Sequence, residues 1–130
     1  MSTVSSGTRY TQKRLITQSD IDRFAAVSGD TNPIHIDPVA AAATRFGRTI
    51  AHGMLLYGYM RAALRALIPT GVQRTQQLSF TNPVFAGEEI EISVEVLDGS
   101  NDQCRCAVKV TRSDGKVACS GETVLEIRYA

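Results

Sequence analysis

The sequence predicts an α+β domain in which a curved antiparallel sheet of about five strands wraps around one long central helix. Three observations point there. The hydrophobic period is helical through the first half and becomes two after Gly71. The stretch from about His52 to Leu67 is apolar nearly all round, a pattern that requires burial on most sides. The chain has 130 residues, 43% hydrophobic and 21% charged, which suits one globular domain with a core. Helices first and strands afterwards define the class.

An extended segment near Tyr10 to Ile16 comes first, after residues 1–8, which are expected to form a flexible N-terminus. Ser19-Asp20 opens a helical run carrying Ile21, Phe24, Ala25 and Val27, closed by Gly29; the acidic Asp20 suits a helix N-terminus. Thr31 to Pro38 reads as a loop, broken by two prolines and Asn32. Pro38 can start an Ala-rich helix ending near Gly47. The long helix then runs to Leu67 and is stopped by Pro69 and Gly71. Val72 to Phe80 is strand-like, and a loop follows through Glu88. Ile90, Ile92, Val94 and Val96 alternate with polar residues, and Cys104, Cys106, Val108 and Val110 alternate with Arg105, Ala107, Lys109 and Thr111. Ser113-Asp114-Gly115 is a hairpin turn signal before a last strand, Lys116 to Tyr129. So few strands leave edges to cover, and pairing of two sheets in a homodimer is expected.

Composition excludes several functions. Lys plus Arg is 14 and Asp plus Glu is 13, a net charge of +1, so nucleic acid is not an expected ligand. His52, Arg61 and Arg65 interrupt the longest apolar stretch, so no membrane span is expected. Met1 to Gly7 lacks the apolar core of a secretory leader, and three cysteines at 104, 106 and 119 read as small buried hydrophobes in a reducing compartment. The cytoplasm is the expected location.

The chemistry concentrates in Ser28-Gly-Asp-Thr-Asn-Pro-Ile-His-Ile-Asp37 and in Ala51-His-Gly53, which hold both histidines of the chain. Asp30 and His35 lie five apart on a proline-stiffened loop. A carboxylate and an imidazole there can share a water and move its protons at neutral pH. Alternatively, Asp30 and Asn32 make side-chain turns and His35 is a satisfied loop histidine. Gly53 opens the long helix. Its N–H is a free first-turn donor that an oxyanion can approach, or the glycine only lets the helix pack tightly.

Gly29-Asp-Thr-Asn-Pro-Ile-His35, then His52-Gly-Met54, then Phe80-Thr-Asn-Pro-Val-Phe-Ala-Gly-Glu88 resemble the MaoC-like family, which includes the (R)-specific enoyl-CoA hydratases, or hydratase 2. The similarity runs from about residue 10 to the C-terminus and keeps the order and spacing of all three blocks. The resemblance implies a hot-dog fold, dimerised through its sheets. It implies that Asp30 and His35 are the catalytic pair, adding water to a trans-2-enoyl thioester or dehydrating an (R)-3-hydroxyacyl thioester. Gly53 N–H would bind the thioester carbonyl, Asn32 would orient the dyad, and His52 would cap the helix or line the site. No metal and no redox cofactor is implied; coenzyme A or acyl carrier protein enters as part of the substrate. Arg45, Arg48 and Arg74 could receive the carrier or the coenzyme's phosphates.

At about 100° per residue from Gly53, Tyr57, Leu64 and Arg61 fall near 40°, 20° and 80°, on the side that carries the glycine. They are candidates to line the acyl pocket. Arg61, with Arg65 one turn on, would then bind a carboxylate or other polar group at the end of a short acyl chain. Otherwise it pairs with Glu122 or Glu126, or swings to the surface. Three other readings compete. A hot-dog thioesterase would lack the Gly-Asp-x-Asn-Pro-x-His block. His35, Asp37 and His52 copy the letters of a two-histidine, one-carboxylate iron site, without its usual scaffold. A silent binding module would not need Asp30, His35 and Gly53 together.

Overall fold

The computed structural model describes residues 5–128. The elements are β1 (Arg9–Leu15), α1 (Gln18–Ser28), α2 (Pro33–Ile36), α3 (Pro38–Ala42), α4 (Gly53–Leu67), β2 (Gly71–Phe80), β3 (Glu89–Gly99), β4 (Gln103–Arg112) and β5 (Val117–Ile127). The strands form one five-stranded sheet in the order β1-β3-β4-β5-β2, antiparallel throughout.

The period-two strands explain the core. On β3 Ile90, Ile92, Val94 and Val96 are buried, and on β4 so are Cys104, Cys106, Val108 and Val110. The register sets Ile92 opposite Val110, Val94 opposite Val108 and Val96 opposite Cys106, so the apolar residues form rows on one face. Helix α4 lies on that face with Leu56, Met60, Ala63 and Leu64 buried. Met60 is fully enclosed, so its truncation to Ala costs about 2–5 kcal/mol. The three cysteines are free and buried; burial pushes the Cys106 and Cys119 thiols up to about 12.

Five expectations change. Residues 31–38 are not all loop, because Asn32 and Pro33 start a turn of helix rather than break one. The Asn32 side chain accepts the Ile34 N–H at 3.1 Å, and proline at the first helical position needs no donor. Helix α3 stops at Ala42 instead of Gly47, since the Thr44 hydroxyl donates to the Ala41 carbonyl and turns the chain. Helix α4 buries one face only, because five strands cover one side of it; Gly58, Ala62 and Ala66 are exposed. Strand β5 ends at Ile127, and Tyr129 lies outside the described residues. Of the segment 1–8, residues 1–4 also lie outside them, whereas Ser6, Gly7 and Thr8 hydrogen-bond to β3.

The two sheet edges differ. β1 carries Arg9, Lys13 and Arg14, charges that discourage pairing. β2 is ten residues long, and its one charge, Arg74, is held by Glu126. No helix among the described residues is long and apolar enough to cross a membrane.

Candidate active site

Helix α1 ends at Gly29, whose φ of 80° is the left-handed turn that glycine adopts without strain. The chain reverses there and delivers Asp30. One carboxylate oxygen of Asp30 accepts the Asn32 N–H at 3.4 Å, and Asn32 in turn caps α2. The side-chain turns and the candidate dyad therefore coexist. Asp30 is exposed, and among the described residues its second oxygen takes no hydrogen bond, leaving it for a ligand.

One turn along α2, His35 places Nδ1 2.8 Å from the Ile50 carbonyl. A carbonyl only accepts, so Nδ1 carries the proton and Nε2 of the neutral ring presents a lone pair. The backbone of His35 is anchored as well. Gln18 Nε2 donates to its carbonyl at 2.8 Å, and the buried Thr49 hydroxyl donates to Gln18 Oε1 at 2.6 Å. Gln18 and Thr49 were not visible as site residues in the sequence; the contact joins positions 31 apart and follows no period.

His52 is buried, 2% exposed, immediately before α4. Its Nε2 lies 2.9 Å from the Asp30 carbonyl, while Nδ1 is enclosed without a partner. An unmet buried polar atom costs about 1–3 kcal/mol. The His52 ring stacks on His35 at 3.8 Å between centroids and 24° between planes, and Phe24 packs against it at 4.8 Å. His52 gives α4 no side-chain cap. By contrast, Thr17, Asn32 and Asp37 cap α1, α2 and α3 with their side chains. In α4 the Leu55 N–H turns back to the His52 carbonyl at 3.1 Å, while among the described residues the Gly53 and Met54 N–H groups and the positive end of the dipole stay open.

A cleft of about 490 Å³ collects these groups: Asp30, His35, His52 and Gly53 line it, with Arg45, Phe46, Met54, Leu56 and Phe80 among its walls. Phe80 packs on the Gly53 Cα so closely that a Cβ there would sit 2.7 Å from the ring. Phe80 and Met54 belong to the blocks that carry the family resemblance, whereas Phe46 is placed at the cleft by the fold alone. Asn32 stays exposed behind the dyad, bonded to the turn it caps.

The other candidates lie elsewhere. Tyr57 donates its hydroxyl to Gln73 on β2, and Leu64 is wholly enclosed in the core. Arg61 is half-buried, and neither it nor Arg65 makes an ion pair or side-chain hydrogen bond among the described residues. Glu122 is taken by Arg105, and Glu126 by Arg74 and Arg128. None of Tyr57, Arg61 and Leu64 lines the cleft of the single chain. Of the three rim arginines, Arg45 lines the cleft and Arg48 stacks on Phe85.

A protein-family model described as a MaoC-like domain matches residues 2–118. The chain belongs to the MaoC-like domain family. An (R)-specific enoyl-CoA hydratase of Aeromonas caviae is 36% identical to it over 113 residues, 84% of each chain. A 3-hydroxybutyryl-CoA dehydratase of Methylorubrum extorquens is 36% identical over 118 residues, 88% of this chain and 75% of the relative. The solved R-hydratase of Pseudomonas aeruginosa superposes with a TM-score of 0.92 at 34% identity, covering 98% of this chain and 84% of its own. The antiparallel sheet and its long helix are thus the hot-dog fold of the family.

Proposed function

We propose that the chain reversibly adds water to a trans-2-enoyl thioester, giving an (R)-3-hydroxyacyl thioester, or runs the dehydration. One observation carries the reading: a free carboxylate oxygen, an imidazole lone pair and an uncapped helix N-terminus face one cleft. Asp30 and His35 Nε2 hold a water between them. His35 takes one of its protons as the oxygen attacks C3 of the enoyl group. Electron density moves to the thioester oxygen, which the Gly53 N–H and the helix dipole stabilise as an enolate. The dyad then returns the proton to C2. Both hydrogens of the water end in the product, and no oxidant or reductant is consumed.

The reaction needs no metal in this account. The ligating atoms of Asp30, His35 and His52 do lie within 4.8 Å of one another. Yet stacked imidazoles direct their lone pairs along nearly parallel planes, whereas a bound metal lies close to the plane of each ligand ring. The spare nitrogen of His52 is also enclosed. Arg45 lines the cleft and would meet a phosphate of coenzyme A or of a carrier protein's prosthetic arm. The open β2 edge favours a homodimer, and a second copy there would add walls to the site, including the neighbourhood of Tyr57 and Arg61. Within that dimer, Arg61 would recognise a polar acyl terminus. Three free thiols suit a reducing cytoplasm.

Crotonyl-CoA tests the reading. Loss of enoyl absorbance with a product consumed by an (R)-specific 3-hydroxyacyl-CoA dehydrogenase is expected. Release of free thiol from a saturated acyl-CoA would instead favour thioester hydrolysis.

A further inference from the structure

Of the two roles expected for His52, the cap on α4 is absent, and although the residue lines the cleft only 2% of it is exposed there. It supplies no cap, its Nε2–H is spent on the Asp30 carbonyl, and its remaining nitrogen is enclosed. What the side chain does touch is the dyad. One edge holds the backbone of Asp30 at 2.9 Å, and one face lies on the ring of His35 at 3.8 Å. Its own backbone leads directly into Gly53, the candidate oxyanion donor. We infer that His52 is a positioning residue, which fixes Asp30, His35 and the start of α4 relative to one another without touching substrate.

The residue type follows from the geometry. A phenylalanine could stack on His35 but has no donor for the Asp30 carbonyl. A glutamine could donate but offers no flat face. Histidine does both from one buried position, and Phe24 closes the side away from His35. Retaining a buried nitrogen with no partner is a cost that a purely structural residue would not need, since an apolar ring would fill the same space. Misplacing catalytic groups by about 1 Å costs on the order of 100-fold in rate. A single residue that sets three of them is therefore a sensitive point.

The inference rests on the hydratase reading for its kinetic arm, and a second arm does not. The kinetic arm compares wild type, His52→Phe and His52→Gln with crotonyl-CoA. His52→Phe should lower kcat roughly 10- to 100-fold with KM within about threefold, while the melting temperature stays close to wild type. His52→Gln, which keeps an N–H near the Nε2 position, should recover at least about fivefold of that loss. A raised KM with unchanged kcat would make His52 a substrate-binding group and overturn the inference. So would wild-type kcat in His52→Phe, or equal losses of kcat and melting temperature in both variants.

The second arm is nitrogen NMR of the imidazoles, which the chain's two histidines make assignable. His35 should carry its proton on Nδ1 and His52 on Nε2. His52→Phe should move the His35 ring signals and the Asp30 amide. If wild type hydrates nothing, the hydratase reading fails, and unmoved His35 and Asp30 signals would refute the positioning role separately.

Discussion

Replacing Gly53 with Ala separates the catalytic role of that position from its packing role. The new Cβ would stand 2.7, 2.9 and 3.2 Å from three ring carbons of Phe80, too close for the ring to stay where it is. Phe80 is 52% exposed, so the ring can turn aside instead of forcing the backbone to move. Overpacking costs about 1–3 kcal/mol, and Ala regains up to about 1 kcal/mol of helix propensity. The net destabilisation is then about 0–3 kcal/mol, a shift of up to several degrees in melting temperature. The effect on rate should be far larger, because the methyl group crowds the amide that stabilises the enolate. Loss of one oxyanion donor costs roughly 100- to 1,000-fold in kcat, or about 3–4 kcal/mol of barrier. The assay is enoyl-thioester hydration alongside thermal melting, for Gly53→Ala, Phe80→Ala and the double variant. Removing the Phe80 ring should restore the melting temperature of Gly53→Ala and leave kcat low. A double variant with wild-type kcat would show that the displaced Phe80 ring caused the defect, and would refute the need for close approach of the thioester oxygen to the Gly53 N–H.

Gln18→Ala breaks the anchor between Thr49 and the His35 carbonyl, and should lower kcat about tenfold with little change in KM, read by steady-state kinetics. Arg61→Ser should weaken turnover of enoyl substrates with a carboxylated acyl end while sparing crotonyl-CoA; an unchanged substrate profile removes the proposed recognition. Asp20 shares a capping box with Thr17, and bonding from the Thr17 backbone N–H and hydroxyl holds its carboxyl below the ordinary 3.8. A lowered folded-state value means the unfolded chain binds more protons. The cap's contribution is therefore present above about pH 4 and lost as pH falls below the folded value. Asp20→Asn should cost about 0.3–1 kcal/mol at pH 7, and less at pH 3, by denaturant titration.

The sheet was legible because a strand repeats every second residue, and Ile90 to Val96 and Cys104 to Val110 keep that repeat without a break. The turn of helix at 33–36 was not, since proline and asparagine mark loops as readily as helix starts; only the Asn32 cap decides between them. Asp30 and His35 could be found because loop geometry over five residues is local. The groups that hold them could not. Gln18 and Thr49 reach the site across the fold, and nothing in their local pattern distinguishes them from other polar positions. The helical wheel set Tyr57 and Arg61 on the side of Gly53, yet neither lines the cleft that Gly53 lines. An angle does not say which strand the side chain meets, and Tyr57 meets Gln73.

The most direct test of the account is hydration of crotonyl-CoA by wild type, Asp30→Asn and His35→Ala at equal folded concentration. Turnover by wild type, with each variant slower by about 100-fold or more at an unchanged melting temperature, is the predicted result. Hydration that survives both substitutions would contradict the dyad.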